Sequence, residues 1–338
     1  MCARTGPTRA VHDKEGSLDM HWIAAHVFGC ADFDQLLVEC VGPLVAGLRR
    51  RQEIQRFFFV RYPEGGPHVR LRFGGVERII EDEVRPRVVR DVEEFVERHG
   101  LSGWRRNSRP HAQVRETSKC ADASDGAAPH EDAIRFVPYE PEVMRYGGEE
   151  GIAIAEWHFD FSTTEALAIL TQEVSCPEGS RDPNMTQRRR LGLAFQAHVV
   201  LPLALGYTLH QTGLIWAGCR TMLEGLLGQS ERREEFERRF LEQSPRLCAM
   251  VEGPLRPQDG EVTPFVRRWR DHGGELATRL ERVGLGVTGP TTDANQSALL
   301  VASYLHMFNN RLGLSRGTEM YLCHLASRTC QTVALRGR

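Results

Sequence analysis

Apolar residues recur along the chain with two different periods, and the period changes about halfway. Near the start, DMHWIAAHVF (Asp19 to Phe28) mixes β-branched, aromatic and small residues and predicts a first strand. Leu36, Leu37, Cys40, Val41, Leu44, Val45 and Leu48 then recur at helical spacing, predicting a helix over 33–51. IQRFFFVRY and HVRLRF flank the segment PEGGP, and two β-rich runs on either side of a Pro/Gly turn predict an antiparallel hairpin. A helix over 80–99 follows, with Val88, Val89, Val92, Phe95 and Val96 as its apolar stripe.

Residues 1–17 are polar and expected to be a flexible N-terminus. Residues 105–132, which include SKCADASDGAAPHED, read as a loop insertion. Ordered structure resumes in IRFVPYEPEVMRYGGEEGIAIAEWHFDFS, where Gly147 and Gly148 can form a turn that a side chain would obstruct. From residue 163 onwards the pattern becomes helical, with helices expected over 163–174, 186–206, 209–228, 230–244, 263–283, 294–312 and 317–328. Thr163 and Thr318 read as helix-start residues. Strands first and helices afterwards predict an α+β fold: an N-terminal antiparallel sheet with a hairpin, followed by a mainly helical C-terminal half, in one domain over 18–330.

Composition narrows the function classes. The 338 residues carry 43 Lys plus Arg against 45 Asp plus Glu, a formal net charge of −2, so no global field draws the chain to nucleic acid. Nine cysteines are scattered without a CxxC pair, which argues against a disulfide framework or a structural zinc site and for buried thiols acting as small hydrophobes. No signal-peptide core and no membrane-length apolar run is present, and the expected setting is cytoplasmic.

The chain has no P-loop, no GxGxxG between strand and helix, no HExxH and no GxSxG, so nucleotide, nicotinamide, zinc-protease and hydrolase chemistries lose their usual anchors. No metal and no cofactor is expected. In HVRLRF the period of two puts His68, Arg70 and Arg72 on one face and Val69, Leu71 and Phe73 on the other. Two neighbouring guanidiniums make either a solvated edge or an anion-holding face. Arg61 reaches that face from the paired strand or lies on its reverse. In SALLVASYLHMFNNR, Ser303, His306, Asn309 and Asn310 form a polar strip on an otherwise apolar helix. His306 is there either a satisfied, partly buried histidine or a proton-transfer group. Asn309, Asn310 and Arg311 either tie backbone at the helix end or face a site.

FFFVRYPEGGPHVRLRF, YEPEVMRYGG and SYLHMFNNRLGL with GTEMYL, in that order, resemble the C-terminal domain of class I lantibiotic dehydratases, found also as free-standing thiopeptide-type bacteriocin biosynthesis proteins. The resemblance spans residues 19–328. It implies an enzyme acting on a precursor peptide with a leader sequence, removing glutamate from glutamylated Ser or Thr to leave dehydroalanine or dehydrobutyrine. It further implies Arg70, Arg72, Arg145 and His306 as catalytic residues, with Arg61, His68, Tyr146, Ser303, Asn310 and Arg311 around the substrate. No glutamylation domain accompanies the match, so a tRNA-dependent glutamylating partner is expected to supply the modified peptide, while a homodimer stays open. A second activity in the family is the [4+2] cycloaddition of two dehydroalanines into a pyridine with release of the leader peptide. That reaction would draw on Tyr146, Tyr304 and Gln296 more than on an acid–base histidine. A noncatalytic leader-binding adaptor and an RNA-binding role are the remaining readings.

Overall fold

Four strands form a single antiparallel sheet in the order β2-β3-β1-β4, with β1 at His21–Phe28, β2 at Arg56–Tyr62, β3 at His68–Gly75 and β4 at Ile134–Val137. The computed structural model describes residues 20–30, 32–99, 133–174, 182–229, 232–255, 262–287 and 294–336. The expected N-terminal tail and the 105–132 insertion lie outside the described residues. The β2–β3 hairpin forms where expected, with Gly65 and Gly66 at φ 72° and 102° in its turn.

The alternation in β3 sorts its side chains to opposite faces. Val69, Leu71 and Phe73 are fully buried with Phe57, Phe59, Ile23, Ala25 and Val27 against two helices. The first, α1, runs continuously through Phe33–Gln35, a π-helical stretch Leu36–Val41 and Gly42–Arg50, and is capped at its start by the Asp32 carboxylate. The second, α2, runs through Glu77–Ile79, a π-helical stretch Ile80–Val84 and Arg85–His99. The unbroken FFFV run of β2 has a direct cause: Phe57 and Phe59 face these helices, whereas Phe58 and Val60 face the helical half of the molecule. Each buried phenylalanine contributes roughly 2 kcal/mol of burial free energy, so β2 is held from both sides.

The helical half comprises α3 (Glu149–Val174), α4 (Pro183–Ala204), α5 (Leu209–Leu227), α6 (Arg233–Leu255), α7 (Pro264–Arg282), α8 (Ala294–Arg311) and α9 (Arg316–Arg336). No helix is long and apolar enough to cross a membrane among the described residues. Cys40, Cys248, Cys323 and Cys330 are buried thiols, as small hydrophobes would be.

Several boundaries differ from expectation, among them the end of α9, which runs to Arg336 and not to 328. The first long helix of this half starts at Glu149, not near residue 163, and Thr163 is buried inside it. Its buried positions, from Gly151 to Glu173, lie on all sides, so no single apolar stripe advertises a helix. Helix α6 runs past Pro245 to Leu255 because Leu247, Cys248 and Val251 continue the buried row of Phe236 and Phe240. At the start of α9 the Ser315 hydroxyl accepts the Thr318 N–H at 3.2 Å, which places Thr318 within the first turn.

Candidate active site

The second face of the sheet carries the polar chemistry. Strand register aligns Phe58, Arg72 and Ala24 in one row and Val60, Arg70, His26 and Arg135 in the next. His26, a position the sequence reading passed over, thus sits between two arginines. Burial pushes its imidazole down to about 3, and Arg70, His68, Arg72 and Arg135 add to the effect, so it is neutral at ordinary pH.

Arg70 is anchored. Its Nε donates to His68 Nε2 at 3.1 Å, the His68 Nδ1 lies 2.8 Å from the Gly66 carbonyl, and the Arg70 guanidinium stacks 3.4 Å from the centre of the Tyr62 ring. His68 is only 3 % exposed, so it acts on the hairpin turn and on Arg70.

Arg72 is held differently. Its guanidinium lies over Phe58 and Tyr139, 5.3 and 4.9 Å from the ring centres, and its buried Nε has no hydrogen-bond partner among the described residues. Burial lowers its proton affinity, while Tyr139, Glu142 and Glu156 pull the other way. The neighbouring Glu156 accepts the Tyr139 hydroxyl at 2.7 Å, and burial raises its carboxyl above the usual carboxylate range. A partly buried cation whose Nε is shut off from water without a partner is costly unless an anion completes it.

Arg145 comes from the turn before α3. Gly147 and Gly148 adopt φ of 87° and 100°, as the sequence suggested, and Gly151 lies so close under the turn that a Cβ there would stand 1.9 Å from the Tyr146 carbonyl oxygen. This close approach aims Arg145 at α8, where its Nε donates to Ser303 Oγ at 3.3 Å, while its Nη1 meets Glu142 at 2.8 Å. Glu142 also acts on the charge of Arg72, and both Arg72 and Arg145 act on the Tyr146 phenol. His306 follows Ser303 by one turn of α8, about 4.5 Å along the axis, and the His306 imidazole is about one-third exposed.

Ser303 thus ties Arg145 to the helix that carries His306, and Glu142, ion-paired to Arg145, also acts on the charge of Arg72. Tyr146 itself is buried, stacked on Tyr304 with ring centres 5.9 Å apart. Burial drives the Tyr146 hydroxyl up to about 12.

Three expected substrate contacts have other work. Arg61 pairs in register with Val69, which puts it on the reverse face from Arg70 and Arg72. There it bonds Asp34 at 2.5 Å, and Asp34 also bonds Arg190 at 2.6 Å. Asn310 uses its side-chain amide on the Arg61 backbone, and Arg311, fully buried, donates from Nε to the Phe59 carbonyl at 3.0 Å. The backbone-tying reading of Asn310 and Arg311 is the one the geometry supports, because β2 is an edge strand whose outward groups need partners. Asp160 does the same for the Phe57 N–H at 2.8 Å.

The residues that sequence reasoning missed are His26, Glu142, Glu156 and Glu319. The alternation of HWIAAHVF could have placed His26, which shares its face with Trp22 and Phe28. No local signal marks the other three. Among the described residues, no group of three His, Cys, Asp or Glu is placed to hold a metal ion.

Residues 22–330 match the family described as lantibiotic biosynthesis dehydratase C-terminal. The chain belongs to that family. No curated protein sequence gives a significant match. Among solved structures, the chain resembles the pyridine synthase TbtD from thiomuracin biosynthesis, with 18 % identity, a TM-score of 0.64, and coverage of 92 % of this chain and 98 % of that one. It also resembles the tRNA-dependent lantibiotic dehydratase MibB from Microbispora sp. 107891, with 18 % identity and a TM-score of 0.62 over 99 % of this chain but 29 % of MibB. A third relative in structure, TsrL, gives 17 % identity and a TM-score of 0.60 over 93 % and 95 % of the two chains. At these identities the likeness is one of fold. Membership places the chain in peptide-antibiotic biosynthesis, and the choice between lyase and cyclase has to come from the site.

Proposed function

We propose that the protein removes glutamate from glutamylated Ser or Thr residues of a precursor peptide, leaving dehydroalanine or dehydrobutyrine. The observation that carries this reading is Arg72, partly buried with an unpartnered Nε, sharing the acidic neighbour Glu142 with an Arg145 that bonds Ser303 on the helix bearing the partly exposed His306. Elimination requires those three parts. A carboxylate-bearing leaving group is held by guanidiniums, charge that develops beside the reacting carbon is balanced by them, and an imidazole takes the α-proton. In the reaction the Cα–H bond breaks, its electron pair becomes the Cα=Cβ double bond, and the Cβ–O bond breaks with its pair on the departing glutamate carboxylate. The proton taken by His306 then passes to solvent or to the product.

In this reading Arg70 and Arg72 hold the glutamyl group, Arg145 joins them and His306 moves the proton. His68 and Tyr146 act by fixing Arg70 and the Arg145 turn. A separate tRNA-dependent protein supplies the glutamyl group. The pyridine-forming alternative would draw on the hydroxyls of Tyr146 and Tyr304, and the burial of both rings weighs against it.

Mass spectrometry of a glutamylated precursor incubated with the protein tests the proposal. The expected result is release of one glutamate per modified residue. An unchanged glutamylated peptide rejects elimination. With a precursor that already carries dehydroalanines, consumption of two of them with release of the leader establishes the cyclase, and leader binding without any mass change on either peptide establishes the adaptor.

A further inference from the structure

We infer that Glu319 is a positioning residue for His306: backed by Asn309 and His198, its carboxylate holds the imidazole as the Nδ1–H tautomer and leaves Nε2 as the nitrogen that accepts the substrate's proton. The inference rests on the elimination reading and adds to it three residues, from α4, α8 and α9, as a hydrogen-bond chain of fixed direction.

The direction can be worked out from the innermost member. His198, 1 % exposed, has Nδ1 2.8 Å from the Ala194 carbonyl oxygen. A carbonyl only accepts, so Nδ1 carries a proton. Burial pushes the His198 imidazole down to about 4, the Ala194 bond and Glu319 opposing, and the ring is neutral with its lone pair on Nε2. Asn309, also 1 % exposed, has its amide nitrogen 3.4 Å from that Nε2 and 3.1 Å from Glu319 Oε1. One amide proton goes to each. The opposite amide orientation would turn an oxygen onto a lone pair and a carboxylate, so the network itself fixes the orientation.

Glu319 is next. It is 6 % exposed in the first turn of α9. Burial alone would raise its carboxyl, but the hydrogen bond and charge of His306, followed by the Asn309 bond and His198, hold it below the usual carboxylate range. An ionised carboxylate only accepts. His306 Nδ1 lies 2.9 and 3.0 Å from its two oxygens and must therefore donate. A neutral imidazole has one N–H, which leaves Nε2 with the lone pair. Among the described residues Nε2 has no hydrogen-bond partner. When Nε2 takes the α-proton, the resulting imidazolium keeps its Nδ1–H on a carboxylate already in place, so charge forms where it is balanced.

A helix N-terminus favours a carboxylate through its dipole, but that favour applies equally to an exposed residue. Burying this one at the junction of three helices, with every proton of Asn309 committed to it or to His198, suits a group that acts on its neighbour.

The test uses the full chain labelled with 15N. Long-range 1H–15N spectra above about pH 8, where an ordinary imidazole is neutral, report which nitrogen of each histidine is protonated, and the His306 signals are those lost in His306→Ala. The expected pattern is a protonated Nδ1 and an unprotonated Nε2 for His306. The reverse tautomer in the wild-type protein overturns the inference without any substitution at Glu319. Glu319→Gln should abolish the tautomer preference and lower kcat for glutamate release about 100-fold with KM changed less than about threefold. In a His306→Ala background the same substitution should cost nothing further. An equal loss in both backgrounds would make Glu319 structural only and overturn the inference. If the wild-type protein releases no glutamate, elimination fails instead, and the tautomer measurement still stands by itself.

Discussion

Asn310 lies against Arg61 as a substitute strand: its Oδ1 accepts the Arg61 N–H and its Nδ2 donates to the Arg61 carbonyl, each at 2.8 Å. With Asp160 on the Phe57 N–H and Arg311 on the Phe59 carbonyl, side chains from α3 and α8 complete the outer edge of β2. The consequence is more than protection of an edge. The same contacts fix how far along β2 the end of α8 sits, and through it where His306 stands relative to the arginine face of β3.

Asn310→Ala should therefore destabilise the fold by about 2 kcal/mol, since it removes two hydrogen bonds and leaves an N–H and a C=O of Arg61 unpaired in a partly buried site. Urea unfolding measures this. A substrate-binding role alone would instead raise KM and leave the midpoint where it is.

Arg72→Met separates function from stability. The wild-type guanidinium lies between two aromatic rings with a buried, unpartnered Nε. A methionine keeps much of the packing and removes the desolvated charge, so stability should hold or rise by about 1 kcal/mol while glutamate release falls at least about 100-fold. Loss of stability together with unchanged turnover would contradict the assignment of Arg72 as an anion holder.

Arg145→Ala and Ser303→Ala should part company. Arg145 keeps its Glu142 contact when Ser303 loses its hydroxyl, and a half-exposed pair of this kind is worth only about 0.5 kcal/mol. Removal of Arg145 should lower kcat/KM about 100-fold, removal of the Ser303 hydroxyl about threefold or less. Steady-state kinetics on a glutamylated peptide distinguishes the two, and a Ser303 effect as large as that of Arg145 would mean that the hydroxyl touches substrate itself.

Acid should unfold the protein through its buried histidines. Burial holds His26 and His272 down to about 3 and His198 to about 4, with the surrounding cations assisting at His26 and His272. His158, whose Nδ1 lies 3.0 Å from His272 Nε2, is likewise held well below its usual value by burial and by His272. Each has a lower proton affinity folded than unfolded, so the unfolded chain binds more protons below about pH 6.5. The stability they confer is full above that value and is lost as pH falls towards 3, with His198 alone worth about 3 kcal/mol by pH 4. Melting temperatures should fall steadily between pH 6.5 and 4, and His198→Gln should flatten part of that slope. A flat profile would show that these rings are already charged in the folded protein.

Local pattern was enough for much of the architecture. Alternation in HVRLRF determined that Arg70 and Arg72 share a face, because side chains on a strand point to opposite sides at every step. The Gly147–Gly148 turn and most of the late helices were legible for similarly local reasons, and the motifs around Arg145 and His306 were enough to mark kinship. Helix α3 was not legible before residue 163, because a helix buried all round has no stripe to read.

Tertiary structure alone decided the rest. Which face Arg61 takes depends on strand register, a parity set across the hairpin and invisible within RFFFVRY. That Asn310 and Arg311 serve the edge of β2 depends on contacts spanning about 250 positions of the chain. Glu319 is by pattern an acid in the first turn of α9, and only the packing of the helical half buries it against His306 of α8. Periodicity reports which side of an element is apolar; it does not report which polar group waits on the element packed against it, and in this protein the chemistry depends on those pairings.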